Sequence, residues 1–193
     1  PSRLRKIIDD FGGDMVIKPL QRFGGEGVIK VSTQDRLNLN SLIHYYIRAY
    51  KPYAQREAIM VQEYLKKVST QGDVRVLLLN GEILGAMGRK SVSDDFRTNV
   101  HAGAQAFKHE MTPAQIAICE RIKPRLIRDG LYFVGIDIIG DKLVEINCVS
   151  PGGIPRINRF NGVKLEENVV DFIELMAGKE NEGKGAGVVR LEA

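Results

Sequence analysis

Asn80-Gly81 stands between two apolar runs, residues 74–79 and 83–87, and no other dipeptide in this chain constrains its folding as strongly. A two-residue hairpin turn needs positive φ at its central positions, which Asn and Gly accept most readily, so the runs are predicted as adjacent antiparallel strands. A second pair of runs, 131–139 and 143–147, flanks Gly140-Asp141-Lys142 and predicts a second hairpin. Antiparallel hairpins mixed with segregated helices give an α+β fold and exclude a parallel doubly wound sheet.

Helical spacing of Leu4, Ile7, Ile8 and Phe11, stopped by Gly12-Gly13, predicts a helix over 3–11. Strands are expected over 15–19, 28–31 and 59–65, and a helix from Leu39 through Leu42, Ile43, Tyr46 and Ile47 to Tyr50. Residues 88–110 are polar and aperiodic and read as a loop, of a length that is functional or disordered in a compact domain. Thr112-Pro113-Ala114-Gln115 combines an N-cap hydroxyl, a first-turn Pro and a capping-box Gln, so a helix begins there, kinked by Pro124 and ended by Gly130. Val169, Val170, Ile173 and Met176 mark a last helix, and 178–193, rich in Gly, Glu and Lys, reads as a flexible tail.

With 44% hydrophobic residues in 193, the chain can bury a real core. The +4 net charge is scattered and has no accompanying set of base-stacking aromatics, so nucleic acid is not an expected partner. Cys119 and Cys148 have no CxxC spacing, which makes a reducing, cytoplasmic compartment the expectation. No run approaches the roughly 20 apolar residues of a membrane helix.

Chemistry concentrates in two places. In Ile136-Asp137-Ile138-Ile139 and Leu143-Val144-Glu145-Ile146-Asn147, strand alternation separates Asp137, Glu145 and Asn147 from their apolar neighbours. Two carboxylates and an amide oxygen suit magnesium, provided that Asp137 lies opposite Glu145. A two-residue turn would slip that register by one, so a connection with an odd residue count is predicted. On spacing alone, an ordinary amphipathic hairpin with a polar solvent face reads at least as well. The second place is Phe23-Gly24-Gly25-Glu26-Gly27, set between two strands, where neither a Walker loop nor a dinucleotide loop occurs. Such a loop can donate backbone N–H groups to a triphosphate, with Lys18 adding a point charge; a flexible hairpin beside an exposed Lys reads equally well.

Taken together, Asp14-Met15-Val16-Ile17-Lys18-Pro19-Leu20, the glycine loop, Val61-Gln62-Glu63-Tyr64-Leu65, Phe133-Val134-Gly135-Ile136-Asp137-Ile138-Ile139-Gly140-Asp141 and Glu145-Ile146-Asn147 resemble the C-terminal part of bacterial glutathione synthetases, members of the ATP-grasp superfamily. The resemblance implies two lobes built on antiparallel sheets with flanking helices, about 14–60 and 61–177 within a domain of residues 1–177, and nucleotide between them. It implies that Lys18 contacts the nucleotide, that Gly24, Gly25 and Gly27 cover the phosphates, that Gln62, Glu63, Tyr64 and Leu65 read the adenine edge, that Asp73 sits near the ribose, and that Asn99 is a further cofactor-binding residue. Asp137, Glu145 and Asn147 would hold magnesium, two ions with Glu145 bridging them, manganese being an alternative. Arg75, Arg89 and Arg97 would surround the transferred phosphate and the substrate carboxylate, and Ser150, Gly152 and Gly153 would lie near the incoming amine.

The implied activity is ATP-dependent amide formation from a carboxylate and an amine through an acyl phosphate, with γ-glutamylcysteine and glycine as the substrates. Residues 97–104 also resemble relatives that add glutamate to a protein C-terminus, and Ser150-Pro151-Gly152-Gly153 departs from the glutathione synthetase pattern. A ligase for another peptide or small acid is therefore the first alternative, and a non-catalytic nucleotide-binding module the second. Relatives carry an N-terminal substrate domain and a further ATP-contacting lysine ahead of residues 3–11. The chain is thus expected to be a piece of a longer, homo-oligomeric enzyme, inactive by itself. Each assigned charge also has a plainer reading, Asp73 and Arg75 as a surface pair, Arg89 and Arg97 as solvated loop residues.

Overall fold

The computed structural model describes residues 2–20, 24–92 and 103–183. The backbone divides into two units, Pro1–Gly72 with Lys90–Gln105, and Asp73–Arg89 with Ala106–Ala193.

In the first unit, helix α1 (Ser2–Asp10) packs Ile8 into the core and stops at Gly12 and Gly13, whose φ values of 74° and 98° lie where a side chain is disfavoured. Strands β1 (Asp14–Pro19), β2 (Ile29–Ser32) and β3 (Ile59–Glu63) form an antiparallel sheet in the order β2-β1-β3. Helix α2 (Leu39–Tyr46) covers one face, so that Met15, Ile17, Val31, Leu39 and Ile43 join Ile8 in a closed apolar cluster. The helix ends before Tyr50: Arg48 takes φ 51° and Pro52 follows, which disfavours helical backbone at the residue before it. A short helix α3 (Lys67–Gln71) follows β3.

The second unit is built on a five-stranded sheet, β6-β5-β4-β7-β8, from β4 (Asp73–Leu79), β5 (Glu82–Lys90), β6 (Gln105–Lys108), β7 (Phe133–Ile139) and β8 (Lys142–Asn147). The β4–β5 turn has positive φ at both Asn80 (52°) and Gly81 (78°), the geometry its sequence demands. Helix α4 (Pro113–Arg128) opens with the expected capping box: Gln115 N–H donates to Thr112 Oγ1 at 3.3 Å, and Thr112 N–H donates to Gln115 Oε1 at 3.1 Å. It runs through Pro124 and lays Cys119 and Leu126 on one sheet face, against Val74, Val76, Leu78, Ala86, Val134, Ile136 and Ile138. On the opposite face, Leu77 and Met87 are covered by Ile157 of α5 (Ile154–Asn161) and Leu165 of α6 (Leu165–Gly183).

Three expectations change here. Residues 88–90 belong to β5 and 105–108 to β6, so the loop expected across 88–110 is strand at both ends, the remainder including 93–102, which lie outside the described residues. Helix α5 was not foreseen, because Gly152, Gly153, Pro155 and its asparagines obscure the Ile154, Ile157, Phe160 spacing that seats it on the sheet. The last helix begins at Leu165 and continues to Gly183, past the point where a tail was expected.

Candidate functional site

The β7–β8 hairpin sets the frame. Ile139 pairs with Lys142 across the two-residue turn Gly140-Asp141, so the connection is not the odd-numbered loop that the sequence predicts. Asp137 nevertheless stands opposite Glu145, because a bulge between Asp137 and Ile138 gives β8 one extra residue and shifts the register back. Gly135 faces Asn147 in the same register. The expected juxtaposition holds, by a different device.

On β4, Asp73 and Arg75 are two residues apart and share the face that Asp137 occupies on β7. Arg89 of β5 lies directly opposite Asp73, and Arg75 directly opposite Asp137. All four are buried, with exposures of 5% for Asp73, 7% for Arg75, 4% for Arg89 and 5% for Asp137, which replaces the surface-pair and solvated-loop readings of these side chains.

Their hydrogen bonds form one network. Arg75 donates from Nε to Asp137 Oδ1 at 2.5 Å and from Nη2 to Asp137 Oδ2 at 2.9 Å. Arg89 donates from Nε to Asp73 Oδ1 at 2.9 Å and from Nη2 to Asp73 Oδ2, and the same Nη2 lies 2.8 Å from Asp137 Oδ1. Burial alone would raise the Asp137 carboxyl, but the Arg75 hydrogen bond and the charges of Arg89 and Arg75 outweigh it and hold the group below its ordinary range. Burial alone would likewise lower Arg89; its bond to Asp73 and the Asp137 charge raise it instead.

Arg75 also reaches the segment before α5, donating from Nη1 to the Gly152 carbonyl at 3.3 Å. A Cβ on Gly135 would lie 3.1 Å from Pro151 Cβ and 3.2 Å from Arg75 Cδ, so glycine there makes room for the arginine to cross β7. Gly153 carries φ 141° and opens α5, its carbonyl accepting from Arg156 N–H and Ile157 N–H. Ser150 holds φ 51° immediately before Pro151, a sparsely populated conformation for a residue with a side chain. The tie between Arg75 and Gly152 had no signal in the sequence.

In the first unit, directly opposed pairs place Val16, Lys30 and Gln62 on one sheet face, with Lys18 and its partner Met60 two residues further along. This face is opposite the one that buries Met15 and Ile17. Lys30 lies 4.2 Å from the centre of the Tyr64 ring and 3.6 Å from an Asp14 oxygen, a position on this face that the sequence reading did not single out. The Tyr64 hydroxyl bonds Ser69 Oγ at 2.6 Å, and its N–H donates to the Asp14 carbonyl at 3.3 Å. Glu63 is exposed and Leu65 half-buried. Gly24, Gly25 and Gly27 take φ values of 65°, 81° and 72°, so the expected glycine loop adopts backbone that only glycine enters cheaply. Arg97, Asn99 and Phe23 lie outside the described residues.

Among the described residues no three His, Cys, Asp or Glu side chains gather as a metal cluster. The oxygen donors that suit magnesium are Asp137, the facing Glu145 and Asn147, whose Nδ2 sits 3.4 Å from Asp137 Oδ2 and 3.3 Å from the Gly135 carbonyl. Donor type and register fit the ion.

A sequence model described as the ATP-grasp domain of prokaryotic glutathione synthetase matches residues 2–162. The chain is 46% identical over 164 residues to a glutathione synthetase of Gloeobacter violaceus, covering 85% of this chain and 48% of that protein. A glutathione synthetase of Thermosynechococcus vestitus is 41% identical over 173 residues, 89% of this chain and 52% of that one. The chain thus spans about half the length of these curated relatives. Among solved structures, the D-cycloserine synthetase DcsG superposes with a TM-score of 0.65 at 12% identity, over 88% of this chain and 60% of that one. A D-alanine–D-alanine ligase from Bacillus anthracis complexed with ATP gives 0.56 at 15%, over 90% and 56%. These two likenesses concern the fold.

Proposed function

The chain belongs to the prokaryotic glutathione synthetase ATP-grasp domain family, and from that membership we propose that it serves ATP-dependent ligation of a carboxylate to an amine, with γ-glutamylcysteine and glycine as the pair joined. The observation that carries this reading is the row Arg75, Asp137, Glu145 on three adjacent strands, beside the Asp73–Arg89 pair.

The proposed chemistry needs no side-chain nucleophile. A substrate carboxylate oxygen attacks the γ-phosphorus of ATP and ADP leaves; the amine nitrogen then attacks the acyl carbon of the resulting acyl phosphate, forming the C–N bond as inorganic phosphate departs and the nitrogen loses a proton. Lys18 and the N–H groups around Gly24, Gly25 and Gly27 hold the phosphates, while Gln62, Glu63, Tyr64 and Leu65 border the adenine. Asp137, Glu145 and Asn147 hold magnesium, two ions in this reading, which supplies positive charge to the phosphate oxygens. Arg75 keeps the segment with Ser150, Gly152 and Gly153 beside Asp137, where the amine is accepted. In this reading Arg97 joins the arginines around the transferred phosphate and the substrate carboxylate, and Asn99 belongs to the nucleotide side. The intact protein is proposed to act in the cytoplasm as a homo-oligomer; among the described residues no helix is long and apolar enough to cross a membrane.

The test is ADP release by the enzyme that contains this chain. Turnover that requires both γ-glutamylcysteine and glycine supports the reading. Turnover only when glutamate or another amino acid is offered to a peptide C-terminus moves the assignment to another ligase, and nucleotide binding without any turnover makes the chain a binding module.

A further inference from the structure

Asp137 has no acceptor site to spare. Its Oδ1 accepts from Arg75 Nε at 2.5 Å and is 2.8 Å from Arg89 Nη2; its Oδ2 accepts from Arg75 Nη2 at 2.9 Å and from Asn147 Nδ2 at 3.4 Å. A carboxylate offers about four lone-pair sites, and these four donors fill them. The buried charges also cancel, Asp73 and Asp137 against Arg75 and Arg89. A divalent cation therefore reaches Asp137 only by exchange with a donor already there.

The donors differ in how firmly they are held. Arg75 grips both Asp137 oxygens, bonds the Gly152 carbonyl and lies against Gly135. Arg89 touches Asp137 through Nη2 alone, while its fork is bidentate on Asp73. It can give up Asp137 and stay bound to Asp73.

We propose that Asp73 is a positioning residue: it holds Arg89 so that this guanidinium and a divalent cation trade places on Asp137 Oδ1. This rests on the reading of Asp137 as a cation ligand, and it gives Asp73 a partner in Arg89 besides the ribose implied for it. Arg89, once displaced, has a donor turned away from Asp137 and free to meet an anion. A cation alone leaves buried positive charge uncompensated and a polyphosphate alone finds Arg89 occupied, so each promotes binding of the other.

The experiment measures Mn²⁺ binding by electron paramagnetic resonance, with and without ADP, on this chain and on three variants. Arg89→Lys keeps a cation for Asp73 but lacks the second arm for Asp137. The paired Asp73→Asn, Arg89→Gln variant removes both charges without leaving one unpaired. Asp73→Asn alone leaves Arg89 to Asp137. A charge-assisted bond of ordinary strength predicts about tenfold tighter Mn²⁺ in the first two and about tenfold weaker in the third. ADP should tighten Mn²⁺ in the parent chain and do so less in the paired variant. Equal Mn²⁺ affinity in the parent, Arg89→Lys and Asp73→Asn overturns the exchange. Absence of Mn²⁺ binding in every chain, with ADP present, overturns the cation-ligand reading itself and the exchange with it. Unfolding curves on the same samples show which variants are folded, and Arg89→Lys, which leaves no buried carboxylate without a cation, decides the matter if the others are not.

Discussion

Arg75 lies directly opposite Asp137 across β4 and β7 and binds its carboxylate through two parallel bonds, at 2.5 and 2.9 Å, beneath the surface of the sheet. Removing one partner strands a buried charge. Arg75→Met is expected to cost about 3–5 kcal/mol in urea unfolding, whereas Glu145→Gln, an exposed position one strand away, should stay within about 0.5 kcal/mol without ligand. Equal losses at the two positions would contradict the burial described.

Nucleotide binding separates the same residues differently. ADP with magnesium at about 100 times its dissociation constant should stabilise the chain by roughly 2.7 kcal/mol. Glu145→Gln should lose the part that depends on magnesium, read by thermal unfolding with and without the metal. Full magnesium dependence retained in that variant would remove Glu145 from the ion's ligands.

Acid should unfold the chain partly through Asp137. Burial pushes its carboxyl up from the ordinary 3.8, but Arg75 and Arg89 outweigh burial and lower it. A group with a depressed folded value binds fewer protons folded than unfolded, so its contribution is complete above about 3.8 and disappears as pH falls through the lower folded value. Urea midpoints followed from neutrality into acid should drop in that window, and drop less in Asp137→Asn.

The two cysteines should label differently. Cys119 is buried on α4, and burial, with Glu120 beside it, pushes its thiol up to about 11, while Cys148 is exposed. An alkylating reagent at neutral pH should modify Cys148 in the folded protein and reach Cys119 only on unfolding, as counted by mass spectrometry. Rapid labelling of both in the native state would disprove this packing.

Gly85 marks the apolar half of the same sheet face. A Cβ there would lie 2.8 Å from Ile157 Cγ2 and 2.9 Å from Leu165 Cδ1, both inside the closed cluster that seats α5 and α6. Gly85→Ala should therefore cost about 1–3 kcal/mol by overpacking, read as a shift of the urea midpoint. A neutral Gly85→Ala would mean that α5 is free to move.

Much of the candidate site was legible because its signals are local. Alternation separated Asp137, Glu145 and Asn147 from Ile136 and Ile138, and the glycines of 24–27 could be read as a loop able to turn backbone N–H groups toward an anion, where the structure then shows positive φ. The turn Gly140-Asp141 was misjudged, since a bulge adds one residue to β8 through packing that periodicity does not encode. Helix α5 escaped because its signal lies in contact with Leu77 and Met87, distant along the chain, and is weak in its own composition.

By itself the sequence determined the two hairpins, the capped start of α4 and the face of β7 and β8 that carries Asp137, Glu145 and Asn147, since turn chemistry and alternation act over a few residues. Only the tertiary structure decided who meets whom. Strand order β5-β4-β7 gives Asp73 to Arg89 and Arg75 to Asp137, turns charges expected near solvent into a buried neutral network, and brings the Gly152 carbonyl to Arg75. Those partners are 16, 62 and 77 residues apart in the chain, and pairings at such range are fixed by packing of the whole sheet, which no local pattern records.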